Sequence, residues 1–111
     1  MRRRPRSRSR HCFVYFLKRE SDGLIKIGRT SNPRHRLQTL NREYGERLVM
    51  LTYCEAGLQA EYNLHNAFQL HRVEGEWFRP HQRLEVVIDM VAATDTIPWD
   101  LVLAAPQEID R

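Results

Sequence analysis

Short apolar runs alternate along the chain with clusters of turn-forming residues. Cys12 to Lys18 and Leu24 to Arg29 are rich in aromatic and β-branched residues, and Ser21-Asp22-Gly23 lies between them. This pattern predicts a β-hairpin whose turn uses Gly23 for a positive φ. Thr30-Ser31-Asn32-Pro33 then carries helix-start chemistry. Ser31 or Asn32 can cap, and Pro33 fits the first turn, where its missing N–H costs nothing. The helix is expected to run to about Tyr44 and stop at Gly45, with Leu37 and Leu40 facing the core.

Arg47 to Glu55 reads as a third strand, and Gly57 to His71 as a second helix with Leu58, Leu64, Ala67 and Phe68 as its apolar stripe. Gly75-Glu76-Trp77-Phe78 is expected as a short, tightly placed segment that delivers two aromatics to the core. Pro80 opens a third helix through about Thr94, with Leu84, Val87, Ile88 and Val91 on one face. Beyond Thr94 the chain is acidic, holds Pro98 and Pro106, and has Trp99 and Leu101 as its packing residues. The order predicts an α+β domain over residues 11–94: a small three-stranded antiparallel sheet flanked by about three helices. Residues 1–10 form an arm and residues 95–111 an acidic tail.

A chain of 111 residues, 41% of them hydrophobic, supports one domain with a modest core. Its net charge of +4 is unevenly spread. Arg2, Arg3, Arg4, Arg6, Arg8 and Arg10 crowd the arm with no acid among them, whereas residues 84–111 set Arg111 against six acids. Such an arm cannot bury apolar surface, so it is expected to be disordered and to attract a polyanion, most simply nucleic acid, through counterion release. Met1 to Arg10 has no apolar core of a secretory signal, and no run approaches a bilayer span, so no membrane association is expected. Cys12 and Cys54 have no partners at metal-ligand spacing and read as small buried thiols rather than a disulfide or a zinc site.

Two residues do not suit a plain core hairpin. Tyr15 and Lys26 are long polar side chains in nearly apolar strands, and a short loop allows them to pair. Arg29 and Arg36 flank the start of the following helix, a place that already favours anions. Together these groups can collect a phosphate and a water molecule. On the second helix Glu61, His65, Phe68 and Arg72 fall along one edge. Each residue alone also has a structural reading. Tyr15 fits a core or interface tyrosine, Lys26 a snorkelling edge residue, Arg36 a solvated charge, and Glu61 a partner for His65 one turn on.

The ordered set resembles the GIY-YIG nuclease superfamily over roughly Cys12 to Ile88. It comprises Val14-Tyr15-Phe16, Lys26-Ile27-Gly28, Arg36 eight residues past Gly28, Ala60-Glu61-Tyr62-Asn63-Leu64-His65 and Gly75-Glu76-Trp77-Phe78. Within the superfamily it is similar to a subgroup of phage and bacterial proteins. Val and Phe replace Gly and Ile of the first motif, and Lys26 stands where the second motif is named for tyrosine.

The resemblance implies a DNA endonuclease that hydrolyses phosphodiester bonds with one Mg²⁺ or Mn²⁺ ion. Tyr15 would be the general base, its phenol pKa lowered by the positive charge of Lys26. Arg36, with Arg29, would bind the scissile phosphate, and Glu61 would hold the metal. His35 and His65 are candidate supporting or proton-transfer groups. Glu76 is a candidate second carboxylate near the metal, with anchoring the aromatic segment as its preferred role.

DNA is the expected partner, and RNA is the alternative that the Ser-Arg arm would suit. A small domain with no base-reading module contacts mainly phosphates and shape, so sequence specificity would need a second copy or a partner protein. The expected location is the cytoplasm, at the nucleoid or in the host cytoplasm if the gene is phage-borne. The alternative function is a nucleic-acid-binding or regulatory module that keeps the fold and cuts little or nothing.

Overall fold

Strands β1 (Phe13–Arg19) and β2 (Ile25–Thr30) form the hairpin on which the rest of the molecule is built. A computed structural model describes residues 11–104, so the six arm arginines and the last residues of the acidic tail lie outside the described residues. The hairpin loop is closed by its own charges. Arg19 donates from Nε and Nη2 to the two oxygens of Asp22 at 3.1 and 2.8 Å, and the Leu24 N–H donates to the same carboxylate at 3.1 Å. Gly23 takes the positive φ of 77° that the turn demands.

Helix α1 (Pro33–Tyr44) starts and stops on the residues that the sequence marks. The Asn32 side chain accepts from the His35 N–H, Pro33 sits in the first turn, and Gly45 ends the helix in the left-handed region. Strand β3 (Leu48–Glu55) returns along the free side of β1. Helix α2 (Leu58–Ala67) gives way to a 3₁₀ turn (Gln69–His71). Strands β4 (Arg72–Glu74) and β5 (Trp77–Phe78) precede helix α3 (Gln82–Thr94), and a single-turn helix α4 (Trp99–Val102) follows.

Three expectations need correction. The antiparallel sheet has five strands, in the order β3-β1-β2-β5-β4, rather than three. The segment around Gly75 is a small hairpin that docks on the edge of β2, with Ile25 opposite Phe78 and Lys26 opposite Trp77. Strands of three and two residues are too short to show an alternating pattern, so they are invisible to periodicity. The β1–β2 register also differs by two residues: Tyr15 lies opposite Gly28, and Lys26 opposite Leu17. An even shift preserves the faces, so Tyr15 and Lys26 still project to the same side of the sheet. Finally, Leu58 is exposed at the start of α2 and does not join the apolar stripe.

Helices cover both faces. On one, Val14, Phe16, Ile27, Cys54 and Phe78 meet Leu64 and Phe68 of the α2 segment, the apolar side of α3, and Val102. On the other, Tyr15, Leu17, Leu48 and Trp77 are covered by Leu37 and Leu40 of α1. Trp99 and Leu101 pack on the larger core, and Val102 is fully buried beside them. Among the described residues no helix is long and apolar enough to cross a membrane.

Arg83 is the charged residue buried in this assembly. Its guanidinium donates to the carbonyls of Val102 at 3.0 Å and Ala67 at 3.1 Å, and it lies over the Phe68 ring at 4.6 Å. One side chain therefore joins α3, the end of α2 and α4. Arg83→Ala is expected to cost about 2–4 kcal/mol by leaving the buried Val102 carbonyl and the part-buried Ala67 carbonyl unpaired. Arg83→Lys should restore little, because an ammonium cannot reproduce the planar fork. Urea denaturation of the two variants checks this, and a loss under about 1 kcal/mol for Arg83→Ala would contradict the role.

Candidate functional site

Tyr15 occupies the middle of β1, between Tyr53 on β3 and Gly28 on β2. Its ring lies across the Gly28 backbone so closely that a Cβ there would fall 2.4 Å from the Tyr15 Cζ and Oη. Glycine is therefore required by close approach rather than by an unusual φ. The phenol is fully buried, and no group completes a well-formed hydrogen bond to its oxygen among the described residues.

Burial pushes the Tyr15 pKa up to about 12. The neighbouring Arg36 guanidinium opposes that rise, while the carboxylates of Glu76 and Glu61 add to it. The lowered phenol pKa expected from Lys26 is corrected on two counts. Desolvation outweighs the nearby charge, and the cation beside the phenol is Arg36. Lys26 places its Nζ 2.6 Å from Oε1 of Glu76, with the Trp77 ring at 5.8 Å. A residue 50 positions away in sequence has claimed its charge.

Glu61 reaches the same region from α2. Its carboxylate is largely enclosed, and Arg29 lies 3.4 Å from Oε1 through Nε. Arg29 also donates from Nη1 toward the Cys12 sulfur at 3.7 Å. Cys12 is half-buried and Cys54 buried, and both are free thiols. His65, one turn beyond Glu61, donates from Nε2 to the Ile27 carbonyl at 2.8 Å, and its ring meets the Phe78 edge at 5.1 Å. This bond takes the β2 carbonyl next to where β5 pairing ends, since the Ile27 N–H already donates to the Glu76 carbonyl at 3.0 Å. His65 thereby fixes α2, and with it Glu61, against the sheet.

Arg36 borders a polar groove of about 440 Å³ at the start of α1, shared with Thr30, Asn32, His35, Thr39 and the acid Glu43. His35 is exposed at its rim. Lys26 and Arg29 each have a carboxylate partner, whereas Arg36 forms no ion pair among the described residues. A second groove, of about 400 Å³, lies on the opposite face between Ile25, Leu51 and Ile88 and takes no part in this cluster.

The structure thus brings Arg36, Glu61 and Glu76 within electrostatic reach of the Tyr15 phenol. Lys26 and Arg29 serve as counter-ions to the two carboxylates. Arg2, Arg3, Arg4, Arg6, Arg8 and Arg10 lie outside the described residues. Sequence reasoning missed the Lys26–Glu76 and Arg29–Glu61 pairs and the space that Gly28 provides. A glycine amid β-branched strand residues was the available signal for the last. Among the described residues no group of three or more His, Cys, Asp or Glu side chains is placed to hold a metal ion.

The fold and this cluster define a small α+β domain with a buried tyrosine set among an arginine and paired carboxylates. Residues 12–95 match the T5orf172 domain, and the chain belongs to that family, a phage-associated domain related to nuclease-type modules. No curated protein and no solved structure matches the chain.

Gly28→Ala is expected to destabilise the protein by about 1–3 kcal/mol, because the new methyl group and the Tyr15 ring compete for one space. In a Tyr15→Ala background most of that cost should vanish. Thermal denaturation of the four proteins measures the coupling, and an undiminished cost in the double variant would show that the ring is not the obstacle.

Proposed function

We propose that this domain is a metal-dependent endonuclease that hydrolyses DNA phosphodiester bonds with a GIY-YIG-like site. The placing of Arg36 and Glu61, from helices on opposite faces of the sheet, within electrostatic reach of the Tyr15 phenol carries the reading. These residues come from three separate elements, and Gly28 leaves room for the phenol. The T5orf172 family is consistent with a nuclease-like or DNA-binding role.

Arg36, in no ion pair among the described residues, is the group for the scissile phosphate and opposes the charge that builds on it. Tyr15 takes the proton of the attacking water as the new oxygen–phosphorus bond forms and the bond to the leaving oxygen breaks. Arg29 and Lys26 balance Glu61 and Glu76 until substrate arrives, and His65 and Glu76 act as positioning residues. His35 at the groove rim is a further phosphate contact. Glu61 is one hard oxygen donor, which fits a single Mg²⁺ or Mn²⁺ completed by water and substrate phosphate, and the ion supplies charge stabilisation at the leaving oxygen. The arginine arm adds sequence-independent affinity for the polymer. A cytoplasmic setting suits this chemistry.

A second reading has its own support. A buried phenol with a pKa of about 12 and a Glu61 already paired with Arg29 also suit a module that binds nucleic acid without cutting it.

Tyr15→Phe, Arg36→Ala and Glu61→Ala are each expected to slow single-turnover cleavage about 100-fold or more with little loss of DNA binding. The pH profile follows from the raised pKa. At neutral pH almost all of Tyr15 is protonated, so the rate should rise about tenfold per pH unit through pH 9 as the phenolate fraction grows. A plateau below about pH 8 would exclude Tyr15 as the base. Salt-dependent binding with no cleavage in Mg²⁺ or Mn²⁺ would establish the binding-module reading.

A further inference from the structure

The sheet face that carries Tyr15 continues into an aromatic patch that the proposed chemistry does not use. Tyr53 is the register partner of Tyr15 on β3, one strand away, and is 45% exposed. Phe13, two residues before Tyr15 and therefore on the same face, meets the Tyr53 ring edge-on at 5.7 Å. His11 stacks on Phe13 at 6.4 Å. In front of Tyr53 a groove of about 170 Å³ opens toward α1, with Pro33, Arg34, Leu37 and Met50 as its other walls.

We propose that this groove accepts an unpaired nucleobase stacked on Tyr53, so that the preferred substrate is single-stranded DNA. The inference rests on the nuclease reading of the neighbouring site and names its substrate class.

Three observations favour this occupant. Tyr53 offers a π-face beside an apolar pocket, which suits a base and gains nothing from a phosphate. The surroundings are basic: Arg34 lines the groove, Arg36 lies on the same helix, and the first turn of α1 has no acid. Glu55, the acid opposite Phe13, is held by His11 Nδ1 at 2.6 Å. The six-arginine segment of the sequence also joins the described chain at His11, on the rim of the patch. Tyr53 is the register partner of Tyr15, so a strand stacked there lies one strand spacing, about 4.8 Å, from the β1 backbone that carries the site. In a duplex, base faces are covered by their neighbours and Tyr53 has nothing to stack on. The geometry therefore discriminates by strandedness without reading sequence.

The test is fluorescence anisotropy of an oligonucleotide, single-stranded and as a duplex, with the divalent ion removed so that no cleavage occurs. Wild type should bind the single strand at least about tenfold more tightly than the duplex. Tyr53→Ala should weaken single-strand binding about 5- to 100-fold and leave duplex binding unchanged, while Tyr53→Phe keeps the preference. A 2-aminopurine base in the strand should be quenched by wild type and Tyr53→Phe but not by Tyr53→Ala, and an RNA strand of the same sequence separates the two polymers.

Equal effects of Tyr53→Ala on both DNA forms, or a wild-type preference for duplex, would overturn the proposal. So would a Tyr53→Ala variant that loses self-association while binding DNA normally, which marks the patch as a contact between copies. Cleavage indifferent to Tyr53→Ala removes the platform and keeps the nuclease. Strand-selective binding without any cleavage on restoring the ion does the reverse.

Discussion

The packing of the Tyr15 ring onto the bare backbone of Gly28 is the contact on which the rest of the site depends. It sets a phenol at the centre of the sheet, with its oxygen buried and, among the described residues, without a well-formed hydrogen bond. A side chain at position 28 would displace the ring. A different β1–β2 register would put Tyr15 opposite a larger residue. Because the strands pair in register and the faces alternate, this one close approach also decides which residues share the face. Tyr53, Leu17, Lys26 and Trp77 all follow from it.

Around that phenol the charges are arranged in pairs with one remainder. Lys26 neutralises Glu76 and Arg29 neutralises Glu61, so neither carboxylate stands alone in a partly enclosed site. Arg36 is the remainder, beside the phenol and bordering a polar groove. The cost is a tyrosine that ionises with difficulty, since burial dominates the attraction of one guanidinium.

Local chemistry was legible in the sequence where it is set by neighbours along the chain. Asn32, Pro33 and Gly45 bound α1 as their side chains and backbone require, and the alternating strands and the apolar face of α3 follow their periods. The members of the cluster were legible too, from residue types in order. What depends on contacts between distant segments was not. The β4–β5 hairpin is too short to have a period, and its Glu76 captures Lys26 from 50 positions away. The direction of the Tyr15 shift also depends on depth of burial, which composition does not encode. From sequence, Lys26, read as the strand partner of Tyr15, looked like the controlling charge. In the folded chain the solvent's absence controls instead.

The central claim is that a buried Tyr15 phenol sits beside Arg36, and nuclear magnetic resonance with Cζ-labelled tyrosine reads it directly. Tyr15 should titrate near pH 12, and Arg36→Ala should move it higher still by removing a cation that favours the phenolate. A Tyr15 pKa at or below about 10, or one that Arg36→Ala leaves unmoved, would contradict the account.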